Sequence, residues 1–199
     1  MLRLILIRHG QTEANISRRL QGQSDGPLNE LGRQEVERLG LALKDTQIDV
    51  IISSDLVRAS DTAAAIACYH NLPVNPTMLV REWNGGEWDG RPAEEFIAIV
   101  KNLTIPIAEL RPPGGETLTE VRARASAFVK DVIEKYPGKT VVLCSHGDFL
   151  RMVISVLMNE SIDKANATYR MDNASYSVFE QEVGTWKMAA FNQIPPKAE

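Results

Sequence analysis

Two of the chain's three histidines occupy the same kind of place. His9 follows the apolar run Leu2 to Ile7, broken only by Arg3, and precedes Gly10. His146 follows Thr140 to Ser145 (TVVLCS) and precedes Gly147. Near-continuous apolar runs this short read as strands buried on both faces of a parallel sheet. Open α/β sheets place their ligands at the carboxyl ends of such strands. Arg8 stands beside His9, Arg58 opens the helix after a further buried strand, and Glu82 follows another. Two imidazoles, two guanidiniums and a carboxyl in one crevice suit phosphoryl transfer. Arginine is a permanently charged, bidentate phosphate clamp. A neutral imidazole is a good nucleophile toward phosphorus, and flanking guanidiniums disfavour imidazolium. Glu82 can protonate a leaving alkoxide, because an incoming phosphate dianion raises a nearby carboxyl's pKa. The chain has no His-x-x-x-His pair and no carboxylate cluster that would demand a metal. The glycine pairs at 85–86 and 114–115 lack the strand–GxGxxG–helix context of a dinucleotide site.

The elements that must position these groups follow from pattern. A polar loop, Gln11 to Gly22, follows His9, and Gly10 is expected to let the chain turn and a ligand approach. Asn29 reads as the N-cap of a helix ending near Asp45. Ile48 to Ser54 is the second buried strand, running into an Ala-rich helix, Asp55 to His70, opened by Ser and Asp. A short strand around Val74 carries Pro73 and Pro76 and is therefore an edge. Residues 91–113 hold a short helix (PAEEFIAIV) and a Pro-rich excursion over the sheet. Thr117 to Tyr136 is a helix with a Thr117/Glu120 capping box, stopped by Pro137-Gly138. The helix after Gly147, DFLRMVISVLM, is apolar nearly all round and must be deeply packed. Residues 176–181 and 185–191 read as a closing hairpin, and the tail from Asn192 as disordered.

Composition narrows the field. A chain of 199 residues suits one domain with a real core. Net charge of −4 argues against a nucleic-acid surface and confines any polyanion site to a local patch. Cys68 and Cys144 have no metal or redox spacing and read as reduced core residues. No run is long enough to span a membrane, and the N-terminus lacks a secretory pattern, so the expected location is cytoplasmic.

Taken in order, LIRHGQTEAN, LQGQSDGPLNELG, SSDLVRASDTA, REWNGGEWDG, PPGGETL, VLCSHGDFLR and DNASYS cover nearly the whole chain. This set resembles the histidine phosphatase superfamily, in the branch that includes cofactor-dependent phosphoglycerate mutase. The resemblance implies a three-layer α/β sandwich with a mainly parallel sheet, and a small lid around 83–115 on a single domain, 1–199. It implies His9 as the nucleophile that becomes phosphohistidine, Arg8, Arg58 and His146 as the rest of the phosphate pocket, and Glu82 as the acid. Asn15, Gln21 and Gly22 match positions lining phosphate and substrate, and Gly147 is counted with them. Thr12 stands where the family often has Ser.

The departures bear on activity. The mutases follow their acid with Arg-His-Tyr, where this chain has Trp83, Asn84 and Gly85. A mutase lysine aligns with Ala93, the insertion bearing paired arginines has no counterpart between 93 and 113, and Asp148 replaces the mutase Asn. The expected activity is hydrolysis of small phosphate monoesters through a phosphohistidine, without metal or cofactor. A phosphoglycerate mutase and a non-catalytic regulatory protein on the same fold are the alternatives. The expected partner is a small phosphorylated metabolite, not nucleic acid or membrane, and a homodimer stays open. His70 reads as a surface or helix-end residue. Trp83 and Trp88 either wall the pocket or pack the lid. Arg18, Arg19 and Arg111 either bind a second anionic group or are solvated loop residues. Glu87 and Asp89 are rival acids, but neither directly follows the strand.

Overall fold

The computed structural model describes residues 1–196. Strands β1 (Leu2–Arg8), β2 (Val50–Ser54), β3 (Val74–Thr77), β4 (Thr140–Ser145), β5 (Tyr176–Glu182) and β6 (Thr185–Gln193) form one sheet in the order β3-β2-β4-β1-β5-β6. The first four are mutually parallel, and β5 and β6 close the sheet antiparallel. In β1 successive side chains alternate between faces. Leu4 and Leu6 meet helices α5 (Leu118–Lys135) and α6 (Gly147–Leu157), while Ile5 and Ile7 meet α2 (Glu30–Leu43) and α3 (Val57–His70). The result is the three-layer α/β sandwich expected, with a core on each face of the sheet.

The register carries the site. Arg8 of β1 pairs with Ser145 of β4, so His9 and His146 leave the sheet at the same height. The His9 N–H donates to the Ser145 carbonyl at 3.0 Å, holding the two strand ends together.

Several local expectations change. Helix α3 starts at Val57, with Leu56 as a cap that has no side-chain bond. Ser54 Oγ accepts from Leu56 N and Asp25 from Val57 N, while Asp55 is turned to Arg81 at 2.7 Å. Ser54 and Asp55 therefore do not cap α3, because a stronger charged partner claims the aspartate. The strand before Glu82 is short, and a 3₁₀ turn, Met78–Val80, intervenes. A one-turn helix, α1 (Glu13–Ile16), sits in the expected polar loop, with Asn15 completing a box with Thr12. Helix α4 (Ala93–Lys101) matches expectation, and α7 (Ile162–Thr168), capped by Ser161, was not foreseen. Cys144 is buried but Cys68 is exposed, so only one cysteine is a core residue. Asn192 and Gln193, assigned to a disordered tail, belong to β6, and residues 197–199 lie outside the described residues. No helix among the described residues is long and apolar enough to cross a membrane.

Candidate active site

His9 is buried at the end of β1. Its Nδ1 lies 2.7 Å from the Gly10 carbonyl. A carbonyl can only accept, so the ring proton is assigned to Nδ1 and Nε2 keeps its lone pair. Burial, then the charges of Arg8 and Arg58, hold His9 well below the usual imidazole range. The ring is neutral at pH 7. Asn173 locks this stretch from behind, its Nδ2 donating to the His9 carbonyl at 3.0 Å and to Asn15 Oδ1 at 3.1 Å.

The His146 ring stands 5.2 Å from that of His9, centroid to centroid, tilted by 58°. It is fully buried, and neither of its nitrogens has a hydrogen-bond partner among the described residues. Buried polar groups are almost always paired, so both nitrogens of this imidazole are available to a bound group. Burial, followed by Arg58, His9 and Arg8, depresses its pKa as well. His146 also caps α6, whose N-terminus favours anions.

The two guanidiniums are anchored by backbone carbonyls and keep capacity in reserve. Arg8 Nη1 donates to Met171 O at 2.7 Å. Arg58, only 1% exposed, donates from Nη1 to Ser24 O at 2.9 Å and from Nη2 to Gly22 O at 2.7 Å. The Nε of each is buried without a partner. Arg58 lies in the first turn of α3 with its side chain buried.

Glu82 arrives from the other side. Its Oε1 accepts from the N–H groups of Trp83 at 2.9 Å, Asp148 at 3.1 Å and Phe149 at 3.1 Å. Burial first, then the Asp148 charge, push this carboxyl above the ordinary range, outweighing those bonds. A Cβ placed on Gly147 would lie 3.7 Å from Arg8 Nε, 3.8 Å from Glu82 Oε2 and 3.9 Å from Arg151 Nη2. Those three groups thus meet over the first turn of α6. Arg124 of α5 grips the segment carrying the acid, donating to the carbonyls of Leu79 at 2.7 Å, Arg81 at 3.1 Å and Glu82 at 3.3 Å. Its own charge is paired with Glu116 at 2.9 Å.

The remaining expected residues act on the loop. Asn15 Oδ1 accepts from Thr12 N, and Gln21 Oε1 accepts from Thr12 Oγ1 at 3.0 Å. Gly22, at φ +48°, presents its carbonyl to Arg58, and Asp89 Oδ1 fills the place a Cβ would take. Gly10 is needed for another reason than supposed: a Cβ would lie 2.7 Å from Val36 and 2.8 Å from the Gly32 carbonyl, so it permits helix packing. Asp89, packed against Gly22 and Gly85, is structural, and Glu87 is exposed. Arg19 donates to Gly90 O and Arg111 pairs with Glu120, which accounts for both side chains. Arg18 is exposed at φ 52°, and His70 ends α3.

Beyond Glu82 opens a cavity of about 350 Å³. Trp83 lines it and is also packed into the core, while Trp88 and Phe96 stack with Trp83 at centroid distances of 6.4 and 5.6 Å. Arg151, Asn166 and Arg170 reach the same cavity. Sequence reasoning passed over these three, together with Arg124 and Asn173. Only Arg151 carried a readable signal, one helical turn past Gly147. Among the described residues no three His, Cys, Asp or Glu side chains group as a metal site.

Comparison with known proteins places this geometry. The profile of the histidine phosphatase superfamily (branch 1) matches residues 4–194. A glucosyl-3-phosphoglycerate phosphatase of Mycolicibacterium vanbaalenii is 32% identical over 87% of this chain and 82% of its own length. A probable phosphoglycerate mutase of Yersinia pestis is 33% identical over 94% and 88%. Among solved structures, a mycobacterial glucosyl-3-phosphoglycerate phosphatase in complex with VO3 superposes with a TM-score of 0.87 at 31% identity, covering 96% of this chain and 98% of that one. YhfR of Bacillus stearothermophilus gives 0.88 at 29%, covering 98% of each. Matched from its first strand through its last, the chain belongs to the histidine phosphatase superfamily.

Proposed function

We propose that the protein is a metal-independent phosphatase acting on small phosphate monoesters. One observation carries the reading: His9 has its Nδ1 committed to Gly10, while His146 and both arginine Nε groups have no partner. Nucleophile and anion donors are therefore ready before substrate arrives. His9 Nε2 attacks phosphorus in line, and the P–O bond to the alcohol breaks as Glu82 gives that oxygen its proton. Water then attacks the phosphohistidine with Glu82, now ionised, accepting its proton. Inorganic phosphate leaves and His9 is restored. Arg8, Arg58 and His146 meet the charge on the phosphoryl oxygens throughout. Asn15, Gln21, Gly22 and Gly147 shape the walls, and residues 83–115 act as a lid over the site.

The relative named a probable phosphoglycerate mutase keeps transfer between phosphoglycerates as the second reading. Trp83, Asn84 and Gly85, in place of the Arg-His-Tyr that follows the acid in the mutases, favour hydrolysis. Quenching without acid during turnover of a ³²P-labelled ester should leave label on His9, and His9→Ala should lose both label and turnover. Label on His146, or turnover surviving in His9→Ala, would refute the mechanism.

A further inference from the structure

The cavity beside Glu82 carries information about the alcohol. It begins at the acid on two sides: Trp83 follows Glu82 in the chain, and Asp148 binds the Glu82 carboxylate through its N–H. An alcohol leaving with the proton of Glu82 therefore lies at the cavity's inner end. Its walls are mostly apolar, among them Leu20, Trp83, Phe96, Val100, Ile107 and Leu110. Of its polar groups, Asp148 and Asn166 are engaged by one nitrogen of Arg151, while the buried Arg151 Nε has no partner among the described residues. Arg151 Nη1 donates to Asp148 Oδ1 and to Asn166 Oδ1, each at 2.7 Å. The Nη2 of Arg151 is turned toward Gly147 and the phosphate end. Lys101 and Arg170 are exposed at the rim.

We propose that the preferred substrates are phosphate monoesters of apolar alcohols, with an alkyl or aryl body filling this cavity. The inference rests on the phosphatase reading above and adds the substrate class. Hydroxyls placed against Trp83, Phe96 and Val100 would be stripped of water, and these three side chains offer them no acceptor in return. Alkyl or ring carbons placed there gain from leaving water. A volume of about 350 Å³ lies at the small end for a ligand site and suits a single ring or short chain.

The test is kcat/KM for a series from ethyl to hexyl phosphate. These primary alcohols differ little in basicity, so the trend reports the cavity rather than the leaving group. Each added methylene should raise kcat/KM about fourfold until the cavity is full. Glycerol 1-phosphate and O-phosphoserine should fall below butyl phosphate. Val100→Asp should flatten the trend, and Val100→Thr, which keeps the shape, should lessen it. A flat series in the wild type with turnover intact, or phosphoserine outrunning hexyl phosphate, would overturn the inference and leave the phosphatase reading standing. Absence of turnover on every ester, p-nitrophenyl phosphate included, would instead reject the phosphatase reading and this inference with it.

Discussion

At the scale of single residues the proposed mechanism needs two titrations pushed apart. His9 must be neutral to attack, and its pKa is lowered by burial and by Arg8 and Arg58. Glu82 must be protonated to act as acid, and its pKa is raised by burial and by Asp148. Activity therefore falls on the acid side as His9 gains a proton, below the usual imidazole range. It falls on the alkaline side as Glu82 loses one, above the usual carboxyl range. Measured as kcat/KM against pH, Glu82→Gln should remove the alkaline limb and lower the rate on alkyl esters by roughly 10²–10⁴. Nitrophenyl phosphate, whose leaving group needs no proton, should suffer less. Asp148→Asn should move the alkaline limb to lower pH, since the charge that raises Glu82 is gone; an unmoved limb would assign it to another group. The two His-Gly steps were legible because each ends a short apolar run, and Glu82 because it follows closely on an edge strand, with only a 3₁₀ turn and Arg81 between. The depth of Arg58 was not, because its partners Gly22 and Ser24 lie 36 and 34 residues away in sequence. A helical Arg without context reads as a solvated one.

At the scale of elements, α5 is more than a cover for the sheet. Arg124 stacks over Phe149, 5.2 Å from its ring centroid, and ties three carbonyls of the 79–82 segment to α5. We expect Arg124→Met to lower kcat on alkyl phosphates about 10²-fold by displacing Glu82, the scale of loss that a 1 Å misplacement brings. KM should change little, and nitrophenyl phosphate should be largely spared. Equal losses on both esters would reduce Arg124 to a stabilising role. Lysine should not rescue, since a single ammonium cannot reproduce the fork. Helix α5 itself was readable from its apolar stripe and its capping box. Helices α1 and α7 were not, being too short for periodicity to register. Their ends are fixed by Thr12 and Ser161 caps that also read as loop residues.

At the scale of the whole molecule, the parallel order of β2, β4 and β1 gathers groups from residue 8 to residue 173 around one end of the sheet. The sandwich was legible because its central strands are continuously apolar, and the cavity was not, because its walls come from segments scattered between Leu20 and Arg170. On the proposed mechanism, charge on the phosphoryl group is met by guanidiniums and a helix N-terminus. Turnover should therefore be unchanged after dialysis against EDTA. A loss restored by added magnesium would show that these groups do not suffice.

The unpartnered nitrogens of Arg8, Arg58 and His146 bear on how the protein survives as well as on what it does. Two buried cations and a buried imidazole crowded together weaken the fold, and an anion among them relieves it. Inorganic phosphate, the product of the proposed reaction, is such an anion. A ligand bound only by the folded chain at a hundred times its Kd adds about 2.7 kcal/mol of stability. For a chain of this size that is roughly 5–10 °C in Tm. Thermal melts in phosphate should show this rise over sodium chloride of equal ionic strength, and Arg58→Met should lose most of it. The protein would then be held folded, between turnovers, by what it releases.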